Sequence, residues 1–421
     1  MVPLQRYPAY KDSGVEWIGD IPEGWEVTRL GTRFQERKSK VSDKDYAPLS
    51  VTKNGVLSQL MSAAKTNDGD NRKLVKQGDF VINSRSDRKG SSGISFHDGS
   101  VSLINIVIEP KAIHPIYCDY LLKGHAFIEE FYRIGHGIVA DLWTTRYDEM
   151  KNIKIFVPSL PEQTAIANFL DEKCSKIDRA VGQKEKLVEL LKERKQIVIQ
   201  NAVTKGLNPN AKMKDSGVEW IGNIPDHWEV RRSKYIFAQR KELARKNDVQ
   251  LSATQAYGVI PQKDYEKKIG RRVVKIQFHL DKRKHVEMDD FVISMRSFQG
   301  GLERAWSTGC IRSSYIILCP LKKISTDYYS YLFKSSRYIA ALQTTANFIR
   351  DGQDLNFGNF TMVDLPIVAL EEQREIAGYI NSQSSKIETA ITLQQKQIEK
   401  LKEYKATLIN SAVTGKIKVV Q

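Results

Sequence analysis

Lys11 to Val27 reads KDSGVEWIGDIPEGWEV, and Lys214 to Val230 reads KDSGVEWIGNIPDHWEV, identical at 14 of 17 positions. Working outward, a second pair of blocks follows. Leu160 opens LPEQTAIANFLDEKCSKIDRA, with NAVTKG from Asn201, and Leu370 opens LEEQREIAGYINSQSSKIETA, with SAVTGK from Ser411. Between them GDFVINSRS from Gly78 aligns with DDFVISMRS from Asp289, while the surrounding residues diverge. The chain is thus an internal duplication, each half a near-constant frame around a variable insert. Uniform drift after duplication would not concentrate the divergence in the middle of each half.

Each insert alternates short β-type runs (DFVINS, SVSLINIVIEP, KNIKIFVP) with Gly, Asn, Asp and Ser clusters. Helix-like spacing appears after Cys118 and after Thr326. The expected fold class is therefore α+β, in two domains. From Glu162 to Val203 apolar residues recur about every 3.5 positions: Ile166, Leu170, Ile177, Val181, Leu187, Leu191, Val198 and Ala202. Ile376, Ile380, Ile387, Ile391, Ile398, Leu401, Leu408 and Ala412 repeat the stripe. Gly206 and Gly415 suit helix stops, whereas Cys174-Ser175, Ser384-Ser385 and Gly182 are places for a break. A long helix with a wet apolar seam needs a partner, so the two are expected to pack as an antiparallel coiled coil relating the halves by a pseudo-twofold axis. The alternative is a helical hairpin inside each half. The matching tails also predict that the two termini meet. The boundaries read as 1–157 and 208–367 for the domains, with helical spacers at 158–207 and 368–421. Trp17, Trp25, Trp220 and Trp228, beside Ile-Pro turns, read as anchors onto a core rather than as stacking platforms.

The 421 residues hold 65 Lys and Arg against 50 Asp and Glu, a formal charge of +15 that favours a polyanionic partner. Cys118, Cys174, Cys310 and Cys319 form neither CxxC nor a Cys/His cluster, which speaks against a zinc site and a disulfide scaffold. No apolar run is long enough for a membrane span and no leader is evident, so a cytoplasmic location is expected. GxxxxGK[ST], GxSxG, HExxH and GxGxxG are absent, as is the acidic or Asn residue followed by Pro-Pro and an aromatic that amino-methyltransferases use. The chain reads as non-catalytic, with no metal or catalytic residues assigned.

Contact with nucleic acid is the chemistry the residues favour, because Lys and Arg neutralise phosphates while Arg, Asn, Gln and Ser address base edges. The loop after the DFVI strand offers Asn83, Ser84, Arg85, Arg88 and Lys89; its counterpart offers Arg296, Ser297 and Gln299. A later loop in each insert offers Thr145 and Arg146, and Arg350, Gln353 and Asn356.

The duplicated SGVEWIGxIPxxWEV frame, the LPEQ and LEEQ helix starts and the GDFVI-like strand together resemble the specificity subunit of type I restriction-modification systems, over essentially the whole chain. The resemblance implies two target-recognition domains separated by two conserved helical regions, each domain reading one half of a split sequence in double-stranded DNA, and no catalysis by the subunit itself. It further implies adenine-methylating modification subunits and DNA-translocating restriction subunits as partners. S-adenosylmethionine, ATP and magnesium are then expected on those partners and none on this chain. The long helices, around Lys184, Lys192, Lys195, Lys396 and Lys402, are the implied docking surface. The competing reading is a non-catalytic helical scaffold without sequence-specific DNA binding.

Overall fold

The computed structural model describes residues 5–60, 68–137, 143–273, 282–293, 301–345, 348–349, 352–353 and 355–419. The chain divides into two compact units, Met1–Lys184 with Lys396–Gln421, and Glu185–Gln395.

In the first unit the DFVI run forms the strand Phe80–Asn83, paired antiparallel with Asn105–Pro110 so that Ile82 faces Ile106 and Val81 faces Val107. Ser92–Ile94 and Phe34–Glu36 complete a four-stranded sheet. Alternate residues serve two cores. Phe80, Ile82, Ile106 and Ile108 pack with the helices Pro115–Leu122 and His125–Arg133, while Val81 and Val107 pack with Leu49, Val56, Val75 and Val101. Burial on both faces explains why this strand is continuously apolar.

The second unit repeats the plan. Phe291–Ile293 pairs with Ile316–Pro320 between Phe237–Gln239 and Glu303–Arg304. Phe291, Ile293, Ile316 and Leu318 face the larger core, and Val292 and Ile317 the smaller. The fold is mixed α+β with an internal duplication.

The frames close these cores. Trp25 and Trp228 are each 1% exposed. Trp25 stacks on Phe156 at 5.9 Å, and Trp228 Nε1 donates to Glu372 at 3.0 Å. The strand after each tryptophan pairs with the last strand of its insert: Glu26–Arg29 with Lys154–Val157, and Glu229–Arg232 with Asp364–Ile367.

The long helices run unbroken over Leu160–Lys205 and Leu370–Val413, 46 and 44 residues, through every suggested break point. Both start at the equivalent leucine, with or without a following proline. They pack together antiparallel. In the first unit Lys405 reaches Asp178 and Lys184 donates to Gln397; in the second Lys195 reaches Glu388 at 2.7 Å. The hairpin-within-each-half alternative is thereby excluded. One stripe position shifts: Leu187 is 41% exposed, and the seam runs through Val188, 6% exposed, because a strict 3-4 repeat from Val181 steps to Lys184 and then 188. Gly206 and Gly415 end the helices at φ +70° and +73°, the left-handed cap that glycine adopts without strain. The termini meet in the first unit: Lys418 N donates to the Gln5 carbonyl at 2.7 Å and the Tyr10 hydroxyl to that of Gly415 at 2.9 Å. Among the described residues no helix is long and apolar enough to cross a membrane.

Candidate nucleic-acid interface

In the first unit the two loops singled out in the sequence lie side by side. Thr145 N donates to the Ser84 carbonyl at 3.0 Å and Ser86 N to that of Trp143 at 2.9 Å. The Tyr132 hydroxyl holds the Asn83 carbonyl at 2.8 Å, locking the strand end beneath both loops. A short 3₁₀ turn, Ser86–Arg88, then lifts the chain outward.

This scaffold divides the candidate side chains into two sets. Asn83, Ser84 and Thr145 are buried. The Asn83 Oδ1 accepts from Arg85 N, the Ser84 hydroxyl donates to the Ile104 carbonyl, and the Thr145 hydroxyl donates to that of Phe131. Arg85, Arg88, Lys89 and Arg146 are exposed. Lys89 sits 2.6 Å from Glu129, and this ion pair holds the Glu129 carboxyl below its usual range. Arg88 approaches its neighbour Asp87 at 3.7 Å. Burial pushes the Tyr132 hydroxyl far above its ordinary value, keeping it a neutral donor.

The structure adds a wall that the sequence reading missed. The hairpin Leu49–Thr52 with Gly55–Ser58 stands across from the loop and encloses a cleft of about 550 Å³, lined by Thr52, Lys53, Gln59, Asn83, Arg88 and Asn105 among others. Asn105 is 4% exposed, and its Oδ1 has no hydrogen-bond partner among the described residues. Amide and guanidinium groups gathered in one cleft match the donor and acceptor pattern of base edges. The hairpin carried a signal: its stem reads Leu-Ser-Val-Thr in one half and Leu-Ser-Ala-Thr in the other, but the tips read Lys-Asn-Gly and Gln-Ala-Tyr-Gly.

In the second unit, Arg296, Ser297, Gln299 and Arg350 lie outside the described residues, as does the side chain of Gln353. Asn356 caps the helix Phe357–Met362: its Oδ1 accepts from Asn359 N at 3.1 Å, and its N donates to the Asn359 Oδ1 at 2.9 Å. Among the described residues no three His, Cys, Asp or Glu side chains are grouped to hold a metal ion.

No family model matches the chain. It is 23% identical to a putative type I restriction enzyme MjaX specificity subunit of Methanocaldococcus jannaschii, over 96% of each chain. It is 24% identical to the MjaVIII specificity subunit of the same organism, over 95% of this chain and 94% of that one. Among solved structures it resembles a chain from a study of assembly and conformational transition of the type I R-M system, with TM-score 0.66 and 13% identity over 93% and 98% of the two chains. It also resembles the HsdS subunit from Thermoanaerobacter tengcongensis, with TM-score 0.53 and 15% identity over 94% and 98%.

Proposed function

We infer that this chain is a specificity subunit of a type I restriction-modification system, the member that supplies DNA recognition and not catalysis. The observation that carries this is the likeness to two specificity subunits along nearly the whole length of each chain, duplicated frame included. The charge of +15 suits a DNA ligand. Each α+β unit reads one half of a bipartite target. In the first, Arg88 and Lys53 flank an amide-lined cleft, and Arg85 and Arg146 stand on the adjoining loops. Arg85 recurs as Arg296, but Arg88 and Lys53 fall where the second insert has Gln299 and Gln255, so the half-sites need not match.

The long helices dock the partner subunits. Leu187, Leu190 and Ile197 are 41, 51 and 45% exposed and follow one another at intervals of three and seven residues, which puts them on one face outside the seam. S-adenosylmethionine, ATP and magnesium serve the modification and restriction subunits, all in the cytoplasm, and this chain binds none of them.

The test is genome-wide adenine methylation mapping in a host expressing this chain with its neighbouring modification subunit, against a host lacking this chain. A new two-part methylated motif is expected. Exchange of residues 28–157 for another insert should alter one half of the motif only. An assembled, active complex that produces no new motif would sink the reading.

A further inference from the structure

The two units part company just after the reading hairpin. Between the hairpin's end and the buried arginine that follows it, the first unit has residues 59–71 and the second residues 262–282. The shorter stretch holds one basic and two acidic residues, the longer seven basic and three acidic. In the second unit this stretch opens with an eight-residue helix, Gln262–Ile269, packed on the hairpin Leu251–Thr254 with Gly258–Pro261 and ended by Gly270 at φ +67°. Gln262 N donates to the Gln250 carbonyl at 2.9 Å, which ties the helix start to the hairpin stem.

Its outer surface is basic and aromatic. Lys263, Lys267, Lys268, Arg271 and Arg272 are exposed, and none forms an ion pair with a described residue. Lys268 Nζ lies 4.9 Å from the centre of the Tyr257 ring, and Tyr257 packs edge-on against Tyr265 at 6.4 Å. Tyr257 at the hairpin tip remains 39% exposed. Of the acids on the helix, Glu266 is engaged with Val273 N at 2.9 Å, leaving Asp264 as the exposed counter-charge. Five cations against the two carboxylates Asp264 and Glu266 within ten residues leave a local excess of positive charge, a repulsion relieved when an anion lies across them. A duplex backbone, with one charge about every 1.7 Å of helix axis, supplies anions at that density.

We propose that the Gln262–Ile269 helix is a clamp on the DNA phosphate backbone, giving the second unit sequence-independent affinity that the first unit's shorter connection lacks. The proposal rests on the DNA-recognition reading above and adds to it a division of labour, in which loop and cleft side chains choose the sequence and this helix holds the duplex.

The test uses the full chain assembled with its modification subunit. Binding to a duplex carrying the target motif and to a shuffled duplex is measured across a salt series, for the natural protein and for a Lys263→Gln, Lys267→Gln, Lys268→Gln triple variant. Glutamine keeps the helix propensity of lysine, and an unchanged unfolding midpoint confirms the fold. Both duplexes should bind more weakly by the same factor, the slope of log K against log salt falling by about 2 to 3 at 0.9 per phosphate contact. An unchanged slope overturns the clamp, as does a loss confined to the target duplex, which would make the helix a base reader. Weakened capture of the modification subunit with DNA affinity intact overturns it in favour of an acidic protein partner. A natural complex that does not distinguish the duplexes sinks the specificity reading instead, while a falling slope in that case still supports the clamp.

Discussion

Arg37 donates two hydrogen bonds to Asp79, from Nε at 2.6 Å and from Nη2 at 3.0 Å, and Arg240 grips Asp290 in the same way at 2.7 and 3.1 Å. Asp79 is 2% exposed and stands immediately before the central strand Phe80–Asn83, where it also accepts from Lys76 N. The pair joins the turn before that strand to the chain just after the sheet's edge strand Phe34–Glu36.

Removing the acid leaves a turn amide without its acceptor and a half-buried guanidinium that keeps only the 3.5 Å approach of Glu109 among the described residues. Asp79→Ala is therefore expected to cost about 3 kcal/mol in chemical denaturation, with Asp79→Asn in between because it retains one acceptor. An Asp79→Ala loss below about 1 kcal/mol would show that water replaces the carboxylate without penalty.

The two helix stops make different demands. A Cβ on Gly415 would lie 2.5 Å from the Pro22 ring, whereas one on Gly206 would first meet its neighbours at 3.4 Å. Both positions have positive φ, so alanine at either costs about 1 kcal/mol in backbone strain. Gly415→Ala should add a packing cost of about 1 to 3 kcal/mol, because Pro22 and Trp25 cannot both give way. Equal unfolding midpoints for the two variants would refute the steric argument.

Much of the fold was legible because its signals are local. The duplicated frame is a contiguous 17-residue match, the Phe80–Asn83 strand a short apolar run and the 3.5-residue stripe a regular repeat along one segment, so each is readable without any tertiary contact. The seam leaves the apolar stripe at Leu187 because it passes through Lys184 and Lys195, long side chains that reach across to Gln397 and Glu388 and carry no apolar signal. The site was less legible. That Ser84 meets Thr145 is a contact across 61 positions, invisible to a local pattern. Thr145 points into the protein and its neighbour Arg146 out of it, a difference that loop composition does not encode.

That difference separates two variants. Thr145→Val removes the hydroxyl donated to the Phe131 carbonyl and should lower stability by about 1 kcal/mol without changing the methylated motif. Arg88→Ala, at an exposed cleft wall, should leave stability within about 0.5 kcal/mol and weaken target binding by about 1 to 3 kcal/mol with relaxed preference at one position of the half-site. A motif altered by Thr145→Val but not by Arg88→Ala would reverse these assignments.

The exposed face of the first long helix gives the last prediction. Leu190 and Ile197 lie outside the seam that Val188, Leu191 and Ile199 help to bury, so Leu190→Asp with Ile197→Asp should leave the unfolding midpoint nearly unchanged. If partner subunits dock there, desolvating two carboxylates in an apolar contact should weaken association at least about tenfold, or 1.4 kcal/mol. Calorimetric titration with the modification subunit measures this directly. Undiminished affinity in the folded double variant would move the docking surface off this face, leaving the target-reading loops of each unit unaffected.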